Sequence, residues 1–290
     1  MMPGARIGVI GGTGLYQIEG MKSFQEVRPK TPFGDPSDVI VIGELDGHNI
    51  AFLPRHGRGH VLLPSEVPYR ANIYALKSLG VEQIIAINSC GSLKDTVKPG
   101  DLVIPDQLID RTRSRINTFF GNGLVAHIPF SEPFCPMLSK VLYDGAKNLG
   151  AKVHMGGTCI VMEGPAFSTV AESRLYKAWG GDIINMTMLP EAKLAREAEM
   201  CYASIACVSD YDSWRQKGTF EPVRADLVVT VMHGNISTAK QIIKKAVGNV
   251  PGDRGCECRE ALKTAIITES YKMSKSARKD LSLLISKYVS

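Results

Sequence analysis

The sequence has no long run of uncharged apolar residues. Among its 290 residues, the longest stretch without Asp, Glu, Lys or Arg has 16 residues, Ile116 to Ser131, and contains glycine, asparagine, histidine and proline. A transmembrane helix needs about 20 mostly apolar residues, so this stretch predicts no membrane span. The N-terminus also lacks the charged region and apolar run of a secretory signal. We therefore expect a cytoplasmic protein with no membrane partner.

Paired cysteines at metal-binding spacing are also absent. The chain has seven cysteines, but no two of them form the C-x-x-C pair typical of zinc sites and thioredoxin-like motifs. The spacing along the chain therefore predicts no bound metal.

The composition is that of an ordinary globular protein. Hydrophobic residues make up 44% and charged residues 22% of the chain, which excludes disorder and a small disulfide-stapled scaffold. The net charge of +5 favours anionic partners without selecting nucleic acid. Its excess lies near the C-terminus, where Leu281, Leu284 and Ile285 recur at helical spacing among lysines and arginines. We interpret this segment as an amphipathic helix with a solvated basic face rather than an RNA-binding tail.

Short apolar runs alternate with segments of helical periodicity along most of the chain. The predicted buried strands are Ile7 to Ile10, Gln83 to Asn88, Asp101 to Ile104, Ile183 to Thr187 and Cys201 to Ser209. The predicted helices are Tyr69 to Leu79, Met137 to Leu149, Thr169 to Ala178, Glu191 to Glu199 and Ala225 to Val247. This alternation predicts an α/β fold in one domain, 1–290, with 251–290 as a C-terminal turn and helix.

The first predicted strand ends in a glycine-rich turn, Gly11-Gly12-Thr13-Gly14. Small residues let the backbone approach a ligand and present amide groups and a hydroxyl to an anion. However, the G-x-G-x-x-G register of dinucleotide-binding turns fails after Gly14, and no Walker lysine follows. By itself the turn fits an ordinary tight turn as well as a phosphate site.

An Arg-His pair gives a stronger signal. Arg55 and His56 directly follow an apolar run, at a predicted strand end, where α/β sheets bind ligands. Arginine can clamp a phosphate with two parallel hydrogen bonds. A metal pair of His56 and His60 is disfavoured, because Gly57 and Gly59 oppose the helix that such a pair needs.

Polar residues follow other predicted strands in the same way. Asn88 and Ser89 end one strand, and Thr187 ends another, so all three could line an anion pocket. Asp210 and Asp212 end a third, and in an extended segment they share one side, where they could hold two edge atoms of a planar base. The alternative for this pair is a solvated turn with a capping aspartate.

These motifs together resemble the methylthioadenosine phosphorylases of the purine nucleoside phosphorylase superfamily. The resemblance runs from Gly8 to about Leu262 and rests on the segments GGTGL, RHGRGH, NSCGSL, PGDLVIPDQLIDRT, HIPFSEPFCP, EGPAFST, INMTMLPEAKLAREAEMCYASIA and SDYDSW. It implies a purine nucleoside phosphorylase-like fold with a twisted mixed sheet flanked by helices. It also implies a homotrimer or a dimer of trimers, with no metal or organic cofactor and inorganic phosphate as co-substrate.

The resemblance implies a role for each matching position. The phosphate site falls on Thr13, Arg55, His56, Asn88, Ser89 and Thr187. The purine positions fall on Phe167, Met186, Asp210 and Asp212. His127 matches a residue that reaches into a neighbouring subunit's site, and Leu262 matches the apolar residue that covers the 5′ group.

Three positions depart from the pattern of the family. Asn88-Ser89 stands where Thr-Ala is common, Ala166 where Arg is common, and Ser209 where Thr is common. None of them removes a charged reacting group, but Asn88-Ser89 bears on phosphate affinity.

The reaction implied is phosphorolysis of 5′-methylthioadenosine to adenine and 5-methylthioribose 1-phosphate. Cleavage of the N-glycosidic bond develops positive charge on the ribose and negative charge on the purine, so an anion and a proton donor are needed at the two ends. Asp210 is the predicted general acid towards purine N7, and Asp212 is predicted to accept from the 6-amino group.

Three other functions are weighed against this one. A 5′-methylthioinosine phosphorylase or a purine nucleoside phosphorylase of broad specificity is the close alternative. A dinucleotide-dependent oxidoreductase would explain the first glycine turn but not SDYDSW, and a non-catalytic nucleoside-binding protein would need no Arg55-His56 pair. Phosphate dependence of base release separates the phosphorylases from the other two.

The cysteines carry a last expectation from the resemblance. Cys256-Glu257-Cys258 resembles a C-x-C pair found in thermophilic archaeal members of the family, where intracellular disulfides occur. We hypothesise a disulfide between Cys256 and Cys258 and a second one between Cys135 and Cys201. The alternative is that these cysteines are free thiols.

Overall fold

A computed structural model describes residues 4–12, 18–215, 223 and 225–289. The strands are β1 (Ile7–Gly11), β2 (Lys22–Val27), β3 (Ile40–Leu45), β4 (His48–Pro54), β5 (Gln83–Ser92), β6 (Leu102–Ile104), β7 (Gln107–Arg111), β8 (Val153–Met155), β9 (Thr158–Met162), β10 (Ile183–Asn185) and β11 (Cys201–Tyr211). The helices are α1 (Tyr69–Ser78), α2 (Pro136–Asn148), α3 (Val170–Ala178), α4 (Met188–Glu197), α5 (Ala225–Val247), α6 (Lys275–Asp280) and α7 (Ser282–Ile285), with 3-10 turns at Glu257–Glu260 and Ser270–Lys272. The predicted α/β class is confirmed.

The strands form one mixed sheet with the order β2-β3-β4-β1-β5-β10-β9-β7. The strand β11 also pairs with β5 and continues the sheet to β6 and β8. β4, β1, β5 and β11 run parallel, so their carboxyl ends meet at one edge. β10 runs antiparallel to β5, and the residues that follow it therefore turn back along β5. The candidate site described below lies at this edge of the sheet.

Helices cover both faces of the sheet. On one face, α1 and α4 contribute Leu76 and Leu194 to a continuous buried core. On the other face, α2 and α5 contribute Leu142 and Ile242 to a second buried core. The helices predicted from their apolar periodicity thus pack against the two faces of the sheet. No helix in the described ranges is long and apolar enough to cross a membrane.

Two strands are longer than the hydrophobic pattern predicts. β5 continues past Asn88 to Ser92, and β11 continues past Ser209 to Tyr211. The pairing of these strands shifts by one residue between Val208 and Asp210, which is a β-bulge. Bulges re-aim the side chains that follow them, and here the bulge immediately precedes the carboxylate predicted to act as acid.

The C-terminal segment differs from the single helix predicted for it. It contains two 3-10 turns and two short helices, and Leu281 ends α6 and precedes α7. Leu281, Leu284 and Ile285 are buried as expected, while Lys275 is exposed. The apolar residues are therefore buried and the basic residue is exposed, as the periodicity predicts, although the segment forms two short helices, α6 and α7, instead of one.

The predicted disulfides are wrong. All seven cysteines are free thiols, including Cys135, Cys201, Cys256 and Cys258. The sulfur atoms of Cys201 and Cys256 lie 3.3 Å apart, whereas a disulfide bond is about 2.05 Å long. That contact also joins a pair different from either predicted one, because the fold gathers all four cysteines in one place.

Candidate active site

The predicted site residues converge where the parallel strands end. Arg55 follows β4, whose last residue pairs with the last residue of β1. The amide of Arg55 donates to the carbonyl of Gly11 at 2.9 Å, so the Arg-His pair lies next to the first residue of the glycine-rich segment. Asn88 and Ser89 lie in β5, the next strand along the edge. The sheet thus joins three motifs that are far apart in sequence.

The Arg55 guanidinium is bound in a buried ion pair. Its Nε and Nη2 donate to the two carboxylate oxygens of Glu191 at 2.6 and 3.0 Å, and Nη1 donates to the carbonyl of Ile87 at 2.9 Å. Burial by itself lowers the pKa of Arg55, but the Glu191 carboxylate stabilises the charged guanidinium more strongly, so the pKa of Arg55 is raised. The second Nη2 hydrogen points to the carbonyl of Ile10 at 3.5 Å. Glu191 therefore occupies the bidentate face that the sequence assigned to phosphate, and of the five N–H hydrogens one on Nη1 is left for an anion.

Asn88 and Thr187 form one hydrogen-bonded unit. The Asn88 amide donates to Thr187 Oγ1 at 2.9 Å, and Asn88 Oδ1 accepts from Ser204 at 2.8 Å. Thr187 precedes α4, yet its side chain makes no capping hydrogen bond. Since Oγ1 already accepts from Asn88, the hydroxyl proton of Thr187 is left to donate to an anion. Asn185 Oδ1 instead accepts from the amides of Thr187 and Met188.

His56 is a neutral ring in this setting. Its Nδ1 lies 2.8 Å from the carbonyl of Leu62, which assigns the ring proton to Nδ1. Burial and then the Arg55 charge lower the pKa of His56 to about 4. The other nitrogen, Nε2, is therefore an acceptor near pH 7. It suits a ligand hydroxyl, including a protonated phosphate oxygen.

A chain of hydroxyls links the anion residues to Asp210. Ser89 donates to Ser209 at 3.2 Å, and Ser209 donates to Asp210 Oδ2 at 2.6 Å. Ser209 also lies 3.2 Å from the carbonyl of Cys90, a second acceptor for its single proton. Burial is the main reason why the pKa of Asp210 is raised to about 6. The hydrogen bond from Ser209 lowers this pKa, and the nearby Asp212 carboxylate raises it further. Asp210 is thus a carboxyl group that can carry a proton near neutral pH.

Asp212 is the second member of the carboxyl pair. A Cβ placed on Gly91 would lie 3.0 Å from Asp210 Oδ1 and 3.3 Å from Asp212 Cβ, so both aspartates flank Gly91 on one side of β5. Burial raises the pKa of Asp212, although the hydroxyls of Ser168 and Ser173 act against it. Among the described residues, no hydrogen-bond partner reaches the buried Asp212 Oδ2. A buried acceptor without a partner points to a donor on a ligand.

The segment after Asp212 is fixed to the end of β5. The carbonyl of Ser92 accepts from the Asp212 amide at 3.0 Å and from the Trp214 ring at 2.7 Å. Ser213 donates to the carbonyl of Ser168 at 2.8 Å. This bond brings the loop of Phe167 next to the aspartates. The Phe167 ring is 40% exposed, so its surface is open to stack on a planar ligand.

Sequence reasoning missed an arginine with a buried side chain that contacts segments carrying predicted purine positions. The Arg115 side chain is 1% exposed and forms an ion pair with Glu163. It also donates to the carbonyls of Met186 and Leu189. Arg115 thereby positions both the EGPAFST loop and the segment between β10 and α4. Its only sequence signal is the basic run at 111–115, which reads as surface charge.

Three predicted residues are not among those described so far. Thr13 lies outside the described residues. His127 is exposed, and its amide donates to the carbonyl of Ala265 at 2.9 Å. Leu262 is 1% exposed in the main core, and its amide donates to Glu199 at 3.1 Å. No hydrogen bond or ion pair described in the structure links His127 or Leu262 to the residues around Asp210.

The assembled edge has two chemically distinct ends. One end presents hydroxyl and amide donors beside a charge-neutral Arg55–Glu191 pair. The other presents two carboxyl groups with raised pKa values, of which Asp212 is buried and Asp210 half-buried. Such a site can hold an oxyanion at one end and protonate a leaving group at the other. In the described part of the chain, the one group of His, Cys, Asp and Glu residues close enough to share a metal ion lies elsewhere, at the four cysteines.

Comparison with known proteins gives the family. A model described as the phosphorylase superfamily matches residues 6–247. The chain belongs to the phosphorylase superfamily. A relative from Geobacter sulfurreducens named S-methyl-5′-thioadenosine phosphorylase is 52% identical to this phosphorylase over 284 residues, 98% of this chain and 99% of the relative. One of the same name from Thermofilum pendens is 47% identical over 266 residues, 92% of this phosphorylase and 100% of the relative.

Solved structures have the same fold as this phosphorylase. A methylthioadenosine phosphorylase from an antarctic soil metagenomic library has a TM-score of 0.92 at 45% identity and covers 97% of this chain and 99% of its own. A mutant of adenosine/methylthioadenosine phosphorylase from Schistosoma mansoni, in complex with methylthioadenosine, has a TM-score of 0.79 at 36% identity, with 97% and 98% covered. The predicted fold family is therefore confirmed for this phosphorylase.

Proposed function

We propose that this phosphorylase transfers the 5-methylthioribosyl group of 5′-methylthioadenosine from adenine to inorganic phosphate. The observation that carries the proposal is the pair of carboxyl groups at Gly91: half-buried Asp210, whose pKa is raised, and buried Asp212, which has an oxygen without a hydrogen-bond partner among the described residues. The relatives named S-methyl-5′-thioadenosine phosphorylase and the neighbour with methylthioadenosine bound support this substrate.

Phosphate binds through hydroxyl donors and the paired Arg55 guanidinium in this proposal. The Thr187 hydroxyl and the remaining Nη1 hydrogen of Arg55 donate to its oxygens, and His56 Nε2 accepts from a protonated one. The Ser89 hydroxyl, which donates to Ser209 in this structure, turns to donate to phosphate instead. The anion then lies next to the ribose, where positive charge develops as the C1′–N9 bond breaks. Electrostatic stabilisation of this kind needs donors that are already oriented, which the Asn88 and Glu191 contacts provide.

The purine binds against the carboxyl pair. Asp210 gives its proton to N7 as the bond to the ribose breaks, so that adenine leaves as a neutral base. Asp212 Oδ2 accepts from the 6-amino group and thereby gains the partner it otherwise lacks. The hydroxyl of Ser209 can donate to ionised Asp210, or accept from protonated Asp210 while donating to Cys90. Both protonation states of the acid are accommodated.

Chromatographic analysis of base release tests the proposal. We expect methylthioadenosine to yield adenine only when phosphate is present, with little hypoxanthine released from methylthioinosine under the same conditions. Adenine release at an equal rate without phosphate would reject phosphorolysis. Equal rates for the two nucleosides would favour the alternative of broad base specificity.

Base preference should depend on Asp212. We expect Asp212→Asn to shift preference towards the 6-oxo substrate methylthioinosine, because an amide can donate to O6 whereas a carboxylate cannot. An unpaired buried acceptor costs about 1–3 kcal/mol, so the kcat/KM ratio of the two substrates should change by about 5- to 150-fold. The KM for phosphate serves as the internal control and should stay near the wild-type value. An unchanged substrate ratio would show that Asp212 does not read position 6.

The pH profile should report the protonation of Asp210. Because its pKa is raised to about 6, the protonated acid is lost as pH rises through that value and kcat/KM should fall. The Ser209 hydrogen bond lowers this pKa, so Ser209→Ala should move the fall to higher pH. The ionisation of the phosphate substrate is the same in the two assays, so its effect on the profile cancels when the two proteins are compared. Ser78→Ala in α1 is the control and should leave the profile in place; a superimposable Ser209→Ala profile would contradict the assignment.

A homo-oligomer, as a trimer or a dimer of trimers, remains a prediction, as do a cytoplasmic location and a single domain over 1–290. Val125 and Ile267 are 45% and 62% exposed and lie beside His127, on a strip that a neighbouring subunit could cover. We expect activity to require the oligomer, because His127 completes the neighbour's 5′ pocket. Light scattering combined with activity across a dilution series measures this. Full activity in a monomeric species would exclude the requirement.

A further inference from the structure

Four cysteines from three distant parts of the chain meet in one cluster. Cys135 precedes α2, Cys201 begins β11, and Cys256 and Cys258 lie in the segment after α5. Their four sulfur atoms all lie within 4.8 Å of one another. Three of the side chains are buried, and Cys256 is half-buried. The other three cysteines are also buried, and among the described residues they belong to no such group.

The spacing of the sulfur atoms matches a tetrahedral metal site. Zinc–sulfur bonds of about 2.3 Å place the four sulfurs of a tetrahedron about 3.8 Å apart. The sulfur separations here include one of 3.3 Å and reach at most 4.8 Å, a range that contains that value. Free cysteines usually act as small apolar side chains dispersed through a core. Four sulfur atoms within 4.8 Å of one another are not dispersed in this way.

We propose that Cys135, Cys201, Cys256 and Cys258 bind one structural zinc ion as four thiolates. Binding releases four thiol protons to solvent and leaves a site with a net charge of −2, since the zinc carries +2. A complete set of four sulfur ligands leaves no open position for substrate, so the ion has a structural role and no part in phosphorolysis. Iron can also occupy four thiolates, and metal analysis distinguishes the two elements.

A cation lies close to the cluster. Arg254, two residues before Cys256, donates to the carbonyl of Glu199 at 2.7 Å and to that of Glu82 at 3.3 Å. The same Glu82 carbonyl accepts from the amide of Cys201 at 2.9 Å. The guanidinium is therefore fixed beside the first residue of β11. It also forms an ion pair with the Glu82 carboxylate at 3.7 Å, so only a part of its charge acts on the thiolates.

The ion would tie the C-terminal segment to the α/β body. Cys135 and Cys201 belong to the body, whereas Cys256 and Cys258 belong to the segment that follows the last long helix. That segment continues to Ala265, whose carbonyl accepts from the amide of His127. Loss of the metal should therefore loosen both the C-terminal segment and the strip that carries His127.

Metal analysis of the whole purified protein tests the proposal directly. The protein is prepared under reducing conditions without chelator, and zinc and iron are measured by plasma mass spectrometry. We expect one zinc per chain, and we expect the melting temperature to fall when a chelator removes it. Iron in place of zinc, or no metal after incubation with excess Zn²⁺ and gel filtration, overturns the proposal.

Variants locate the ion. The double variant Cys256→Ser/Cys258→Ser should lose the zinc, whereas Cys207→Ser, which removes a buried cysteine from the same strand as Cys201, should retain it. Cobalt substitution should give sulfur-to-cobalt charge-transfer absorption in the wild type and in Cys207→Ser but not in the double variant. If the double variant does not fold, Cys256→Ser, at the half-buried position, takes its place. Retention of zinc without these sulfurs overturns the assignment.

Thiol titration in denaturant separates the cluster from disulfides. With a chelator present, seven reactive thiols per chain are expected. Three would mean that the four cysteines form two disulfides in solution, which excludes the zinc site.

Discussion

Asp210→Asn is expected to lower kcat for methylthioadenosine phosphorolysis by about 10²- to 10⁴-fold, the usual contribution of a positioned general acid. Asparagine keeps the size of the side chain and can donate a hydrogen bond to N7, but it cannot transfer a proton. The KM for phosphate should change little, because the anion donors lie at the other end of the site. The fall of activity through about pH 6 should also disappear, since the group that titrates there has been removed.

The matched control is Asp144→Asn, which replaces an exposed aspartate paired with Lys140 on α2. It should retain wild-type kinetics. If Asp210→Asn keeps kcat within about tenfold of the wild type at every pH, below the usual contribution of a general acid, another group protonates the purine. The mechanism would then need a different acid.

Glu191→Gln should strongly lower the free energy of unfolding. Glu191 is fully buried and binds both Nε and Nη2 of Arg55 and the hydroxyl of Tyr202. Removing one partner of a buried ion pair leaves an uncompensated charge and costs about 3–5 kcal/mol. Denaturant unfolding measures the loss. Phosphate affinity should also change, because Arg55 loses the contact that orients its guanidinium.

A nearby surface pair provides the comparison. Asp110→Asn removes the partner of Lys193, also on α4, at a distance of 2.6 Å but with both side chains partly exposed. Such pairs contribute about 0–1 kcal/mol. Replacing both buried partners, as Arg55→Leu/Glu191→Leu, should cost less than Glu191→Gln alone, because no buried charge remains. Equal stability losses for Glu191→Gln and Asp110→Asn would contradict this account.

The long amphipathic helices and buried central strands were predictable because burial sets their pattern. α5 begins and ends at the predicted residues, and β1, β5, β6, β10 and β11 all lie on predicted runs. β2 was not predictable, since five of its six residues are exposed and no alternation marks it. The β3–β4 hairpin did leave a signal: Asp46-Gly47 has positive φ at both residues, as a type I′ turn requires.

The sequence predicts candidate ligand-facing residues but not the contacts that support them. Strand ends and the family resemblance select Arg55, Thr187, Asp210 and Asp212 from the sequence. Their supporting partners, such as Glu191, follow from side-chain contacts between segments far apart along the chain, and no local pattern shows these. The bidentate pair of Arg55 is the clearest case, because the sequence suggests phosphate as its partner and the fold supplies a carboxylate.

The cysteine cluster also could not be predicted from local sequence patterns. A search for C-x-x-C pairs finds none, and the C-x-C resemblance suggests disulfides, since both depend on neighbours in sequence. The fold instead brings Cys135 and Cys201 to Cys256 and Cys258. Sequence spacing cannot describe a group assembled from three separate segments.

Transfer of radiolabelled phosphate tests the central claim most directly. The purified protein is incubated with methylthioadenosine and labelled inorganic phosphate, and the sugar product is separated from the base. Phosphorolysis predicts that label enters 5-methylthioribose 1-phosphate in a one-to-one ratio with released adenine, and that neither product forms without phosphate. Unlabelled methylthioribose accompanying the adenine would mean that water attacks the sugar, and would contradict the proposed reaction.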